Sequence, residues 1–150
     1  MSLKLRKSLE YALIILSENF RFYYLSIKDI TFNVHLRNAK KCIKCLQEMG
    51  CQTVIITLGV GGVAFNSGFE LFRVPIEITQ TAVDTTGAGD CFIGALAHFL
   101  AKYPEVDMTQ KIAASCVLAS HSVTLRGTQI SYVNFPTIDF SSRKFAFEEL

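Results

Sequence analysis

No apolar run in this sequence reaches the length of about 20 residues that crosses a membrane, so a spanning segment is excluded from the reading. Neither sign of charge is in excess: 15 Lys and Arg stand against 13 Asp and Glu, leaving a net +2. Such a balance gives no long-range pull toward nucleic acid or an anionic membrane surface, and neither is expected as a partner. A disulfide framework is also missing. Five cysteines is an odd count, and their spacing matches no staple pattern. A reducing, cytoplasmic compartment follows as the simplest expectation, with a nuclear pool as the alternative. Cys42 and Cys45 form a Cys-x-x-Cys that could supply two zinc ligands, but no second pair lies at suitable spacing. With Cys51 they read as ordinary packing or surface cysteines.

What is present suffices for a folded domain. The chain has 150 residues, half of them hydrophobic, enough for a real core. Residues 1–32 are the hardest to read. Lys4, Arg6 and Lys7 precede a short apolar run, Tyr11–Leu16, but no small-residue cleavage site follows, so a structural strand or helix is favoured over a targeting peptide. Phe20, Phe22, Tyr23 and Tyr24 have strand character. A helix is expected over 33–49, capped by Asn33, with Leu36, Ala39, Ile43 and Leu46 on one face and Gly50 as its stop. Thr53–Leu58 reads as a buried strand, followed by a sharp glycine turn over Gly59–Gly62. Val63–Asn66 and Phe69–Val74 flank Ser67-Gly68 as a hairpin, which Pro75 ends. Thr109 is the expected cap of a further helix running from Gln110 to about His121. The tail beyond Asn134 carries no signal and is expected to pack loosely.

The stretch Val83–Leu96, VDTTGAGDCFIGAL, organises the chain. It reads as the end of an extended segment, a tight polar turn, and a helix that is apolar nearly all round. Gly87, Ala88 and Gly89 let a ligand approach the backbone closely. They stand where the helix begins, and the first N–H groups of a helix have no internal partner. Together with the helix dipole, those donors suit an anion such as phosphate. Asp90 follows in the first turn and admits two readings. It is either a stabilising acid at a helix N-terminus, worth under about 1 kcal/mol, or a general base that takes a hydroxyl proton while the anion hole holds the phosphoryl group under attack. The apolar helix behind it, with Phe92, Ile93, Leu96, Phe99 and Leu100, is expected to be buried on several sides and to hold its N-terminus rigid. His98 and His121 read as packing residues.

This stretch resembles the signature of the ribokinase family of carbohydrate kinases. The resemblance covers about residues 33–132, and it implies that Asp90 deprotonates a sugar hydroxyl while Gly87, Ala88 and Gly89 form the anion hole. It further implies that Thr57, Leu58, Gly59, Val60, Gly61 and Gly62 lie beside the nucleotide, with Gly89, Asp90 and, from the later helix, Cys116. Ser122–Ser131 is similar to the family's loop for a monovalent cation, usually potassium. On that likeness, Asp84, Thr86, Ser122, Leu125, Gly127 and Ser131 would supply its oxygens, several through backbone carbonyls.

The implied fold is α/β: a partial three-layer, Rossmann-like sheet, mostly parallel, with flanking helices and one edge exposed. Residues 33–150 would be the C-terminal half of such a domain. The family's Gly-Gly-rich sugar motif and its Asn-x-x-Glu motif are missing, so a truncated member is expected. The implied activity is ATP-dependent phosphorylation of D-ribose at its 5-hydroxyl, with Mg²⁺ and K⁺ as cofactors and a homodimer as one assembly. A non-catalytic nucleotide-binding module, an inactive truncated product, and a fructokinase or adenosine kinase stay open beside it.

Overall fold

The computed structural model describes residues 12–16, 22–26, 36–48, 50–76, 81–132, 138–141 and 144–150. The expected cap Asn33, the basic residues 4–7 and Phe20 lie outside them. The described chain divides into two compact units, 1–73 with 148–150, and 74–147.

The first unit holds a six-stranded sheet. Its strands are β1 (Ala12–Leu16), β2 (Phe22–Ser26), β3 (Thr53–Thr57), β4 (Val63–Ser67), β5 (Glu70–Val74) and β6 (Glu148–Glu149), in the order β2-β1-β3-β4-β5-β6. Ala12–Leu16 of the first apolar run and Phe22, Tyr23 and Tyr24 of the aromatic segment are therefore in strands, paired from Ala12↔Ser26 to Leu16↔Phe22. The expectation of a mostly parallel sheet is corrected. β1 runs antiparallel to β2 and to β3, β3 to β4, and β5 to β6. Apolar patterning specifies that a strand is buried, not which way its neighbour runs.

Helix α1 (Leu36–Glu48) packs on β3 and β4. Ala39 and Ile43 are fully buried with Val54, Ile56, Leu58, Ala64 and Leu71, and Leu46 packs against that cluster. Two bonds end the helix: Gly50 N–H to Gln47 O at 2.9 Å and Cys51 N–H to Leu46 O at 3.1 Å. That pair is the Schellman arrangement, and it needs the left-handed φ of 99° that Gly50 adopts. Cys42, Cys45 and Cys51 are free thiols, and burial pushes Cys42 and Cys51 up from the ordinary thiol value. No group of three or more metal-ligating side chains occurs among the described residues.

The β4–β5 hairpin turns one residue later than expected, at Gly68-Phe69. Asn66 explains the extension of β4. Its side chain is fully buried, with Oδ1 accepting from Val54 N–H at 2.6 Å and Nδ2 donating to Gln52 O at 2.7 Å and Gly68 O at 3.0 Å. The amide thus closes both the start of β3 and the hairpin end.

The second unit carries α2 (Ala88–Lys102) and α3 (Met108–Ser122), packed against each other. Cys91, Phe92, Leu96 and Phe99 form the buried face of α2, while Gly94 and His98 are exposed, so this helix is buried on one side rather than all round. The cap of α3 is Asp107, not Thr109: its carboxylate accepts from Thr109 N–H at 2.7 Å. An ionised oxygen caps more strongly than a hydroxyl.

The tail departs from the loose packing expected of it. Phe145 is buried, its N–H donating to Gln110 Oε1 at 2.9 Å and its carbonyl accepting from Gln110 Nε2 at 3.2 Å. Phe140 stacks edge-on against Phe99 at 5.1 Å and Tyr103 at 5.2 Å. In the first unit, β6 pairs with β5, and Leu150 N–H donates to Leu71 O at 2.8 Å. Among the described residues no helix is long and apolar enough to cross a membrane.

Replacing Asn66 by Ala strands the buried Val54 N–H, while the carbonyls of Gln52 and Gly68 belong to exposed residues and Gly68 O keeps the Gln47 side chain as donor. Urea unfolding of Asn66→Ala is expected to show a loss of about 1–3 kcal/mol.

Candidate functional site

Residues 83–89 enter α2 through a turn fastened to the loop that follows α3. Val83 N–H and Asp84 N–H both donate to Val123 O, at 2.8 and 3.2 Å. The Asp84 carboxylate then spans turn and loop: Oδ1 accepts from Thr86 N–H and Oδ2 from Gly127 N–H, each at 3.0 Å. The bond from Gly127, those from Thr86, and the positive charge of Arg126 hold its carboxyl well down, at about 2 against an ordinary 3.8.

Gly87 is the N-cap of α2 and has a left-handed φ of 80°. Its carbonyl accepts twice, from Cys91 N–H at 2.9 Å and from the Tyr132 hydroxyl at 2.6 Å. A side-chain Cβ placed there would overlap the Tyr132 oxygen and stand 2.7 Å from Thr128 Cγ2. Sterics and φ therefore both demand glycine. No side chain caps this end of the helix. Ala88 N–H reaches Thr85 O at a long 3.3 Å, and helix geometry gives the next N–H groups, those of Gly89 and Asp90, no partner within the helix.

Asp90 stands in that first turn with its side chain exposed. It lines a cleft of about 560 Å³ with His98, Lys102, Tyr103, Tyr132 and Ile138 among its other walls. Positions 90, 94, 98 and 102 recur every fourth residue, so one stripe of α2 forms a side of the cleft. Burial, then the nearby Cys91 and Asp90, raise the Tyr132 phenol above its ordinary value. A carboxylate at an open cleft can accept a proton from a bound hydroxyl, and the uncapped main-chain donors beside it can hold an anion.

The structure thus brings Asp84, Thr86 and Gly87 together with Gly127 and the segment around it. Ser131 is fully buried, its hydroxyl donating to Thr128 O at 2.6 Å, and Ser122 is buried with its hydroxyl on Ala119 O at 2.8 Å. Leu125 is exposed. Cys116 sits on the packed side of α3, where burial pushes its thiol up to about 12. His98 is exposed, with its ring edge-on to Phe99 at 5.6 Å, and His121 is exposed as well.

Thr57, Leu58, Gly59, Val60, Gly61 and Gly62 belong to the first unit. There they form a 3-10 turn over Gly59–Gly61, closed by Leu58 N–H to Gly62 O at 2.7 Å, with Arg73 Nε on Gly61 O at 2.9 Å. Gly59 and Gly62 take positive φ, Leu58 is buried and Val60 exposed. Tyr132 and Thr128 were not singled out by sequence reasoning. Their one signal was position, at the end of the loop that meets the glycine turn.

Residues 27–134 match the model of the pfkB family carbohydrate kinases. Over 96 residues the chain is 46% identical to the ribokinase of Mus musculus, covering 63% of this chain and 29% of that protein. It is 37% identical over 98 residues to a deoxyribokinase of Salmonella typhi, covering 65% and 30%. Among solved structures, it is similar to ribokinase from Thermotoga maritima, with a TM-score of 0.56 and 34% identity, over 61% of this chain and 30% of that one. It is also similar to aminoimidazole riboside kinase from Salmonella enterica, solved with aminoimidazole riboside and an ATP analogue, with a TM-score of 0.56 and 29% identity, over 62% and 32%. The chain thus spans about three tenths of the length of the curated relatives it matches.

Gly87→Ala is expected to lower stability by about 1–3 kcal/mol, the usual cost of a strained left-handed residue, read as a drop in the thermal midpoint. For Asp84 the folded value lies below the unfolded one, so its contribution is complete above about pH 4 and fades as pH falls toward 2. The Gly127 amide proton, followed by NMR, should titrate with a midpoint near 2.

Proposed function

Because the chain belongs to the pfkB family of carbohydrate kinases, we propose that it carries the phosphoryl-transfer centre of an ATP-dependent sugar kinase. The carrying observation is the exposed Asp90 at an open cleft, in the first turn of a helix entered through a glycine that must be glycine. D-Ribose, phosphorylated at its 5-hydroxyl, is the proposed substrate. Its support is that relatives named as acting on ribose, deoxyribose or a riboside recur among the matches.

In the proposed reaction, an Asp90 carboxylate oxygen takes the proton of the sugar hydroxyl. The sugar oxygen bonds to the γ-phosphorus, and the bond to the β,γ-bridging oxygen breaks to release ADP. Main-chain N–H groups of the 87–89 turn and the first helical turn stabilise charge on the transferring group, a preorganised arrangement that needs no rearrangement during reaction. Thr57–Gly62 is the proposed nucleotide-side segment. Mg²⁺ would arrive on the nucleotide phosphates and neutralise their charge; no residue of this chain is assigned to it.

The oxygens proposed for K⁺ suit a hard cation. The Asp84 carboxylate is firmly ionised, and each of its oxygens has spent one lone pair on an N–H. Ser131 gives its proton to Thr128 O, which leaves the lone pairs of its own oxygen for a cation. Carbonyls of Thr86, Ser122, Leu125 and Gly127 complete the proposed set.

Asp90→Asn keeps the shape and removes the base. In a coupled ADP-release assay with ribose and deoxyribose, with and without potassium, it is expected to cut turnover at least about 100-fold while the thermal unfolding transition is retained. Full turnover in the variant would discard the mechanism. Binding of an ATP analogue without sugar-dependent ADP release in the unsubstituted chain would point to a nucleotide-binding module instead.

A further inference from the structure

We propose that Tyr132 is a positioning residue for the anion hole: its hydroxyl fixes Gly87 in the left-handed conformation from which the first N–H groups of α2 are aimed. This rests on the phosphoryl-transfer reading of that turn.

Tyr132 donates to Gly87 O at 2.6 Å, shorter than the 2.9 Å bond the same carbonyl accepts from Cys91 N–H within the helix. For a hydroxyl donor this lies on the short side of the ordinary range, so the bond is well formed. The carbonyl it holds belongs to the N-cap, so its direction sets the plane of the Gly87–Ala88 peptide and hence the direction of the Ala88 N–H. Glycine alone does not hold that direction, because its φ is the freest of any residue. Something outside the residue must select the left-handed well. The Tyr132 hydroxyl and the Thr128 side chain occupy the space where a Cβ would stand, so the same oxygen that bonds Gly87 also bars a side chain there.

Tyr132 is itself held. It closes the single turn Ile130–Tyr132, with its N–H on Gln129 O at 3.2 Å and the Ser131 N–H on Thr128 O at 3.1 Å. That turn follows Gly127, which the Asp84 carboxylate fixes from the other side. The phenol also lines the Asp90 cleft, so the group that aims the donors is a wall of the space where the acceptor hydroxyl would bind. Besides the bonds to Val123 O, the loop therefore holds the turn at the Asp84 carboxylate and at the Gly87 carbonyl, three residues apart.

The test compares the unsubstituted chain with Tyr132→Phe, which keeps the ring and deletes the donor. Two readouts are taken. The first is amide hydrogen exchange at Cys91, whose N–H shares the Gly87 carbonyl. The second is calorimetric affinity for adenosine 5′-(β,γ-imido)triphosphate and for adenosine. Loss of one hydrogen bond is expected to speed Cys91 exchange about fivefold and to weaken the triphosphate by about the same factor, leaving adenosine affinity unchanged. A merely structural tyrosine would weaken both ligands alike or neither. Unchanged Cys91 exchange, equal weakening of both ligands, or loss of cooperative unfolding in Tyr132→Phe would overturn the positioning role. If the unsubstituted chain binds neither ligand, the phosphoryl-transfer reading fails by itself, and Cys91 exchange still decides whether the hydroxyl holds Gly87.

Discussion

Gly87 has no room for a methyl group, and it occupies a backbone region that side-chain-bearing residues avoid. Every feature of the proposed site follows from that crowding. The helix can begin without a capping side chain because the chain turns through a left-handed residue. The first-turn donors are left uncapped because no capping side chain reaches them. The loop from Gly127 to Tyr132 can approach the turn closely because nothing projects from Gly87 to hold it off. Asp90 inherits its position, three residues into a helix whose far side is anchored by Phe92, Leu96 and Phe99.

The electrostatics reinforce the same arrangement. The Asp84 carboxylate is not a free charge awaiting a ligand; two main-chain N–H groups already hold it, and they keep it ionised far into acid. A cation bound there would add to an existing bridge rather than create one. Asp90, six residues on, is instead exposed at the cleft. The two acids share a short stretch of chain but have different environments, one bonded to two main-chain N–H groups and one exposed at the cleft.

Much of this was legible in the sequence, for identifiable reasons. The Thr53–Thr57 strand, the glycine stop of α1 and the start of α2 all depend on short-range rules: β-branched runs, positive φ after a helix, and small residues at a helix entry. The features that were misread depend on partners far along the chain or on competition between neighbours. Phe145 gives no local sign that Gln110, 35 residues earlier, will hold both its backbone groups. Asp107 and Thr109 are both good caps, and only the geometry shows the carboxylate winning. Strand direction is set by connections rather than by composition, so an antiparallel sheet was invisible to patterning. Tyr132 escaped notice because a tyrosine near the end of a loop is unremarkable until its hydroxyl is seen on Gly87.

The seam between turn and loop is written mostly in peptide groups. Val83 and Asp84 give N–H groups to the carbonyl of Val123, and Gly127 gives its own N–H back to Asp84. Peptide groups are the same whatever residue carries them. Val123 takes part in the seam through its carbonyl and not its side chain, whereas Arg126 adds its positive charge beside the Asp84 carboxylate. Side-chain identity matters instead at a few positions: an acid at 84, glycine at the positive φ of 87 and 127, and a hydroxyl-bearing ring at 132. A loop built this way tolerates a new outward side chain at Val123 or Leu125 while its main-chain bonds to the turn stay in place.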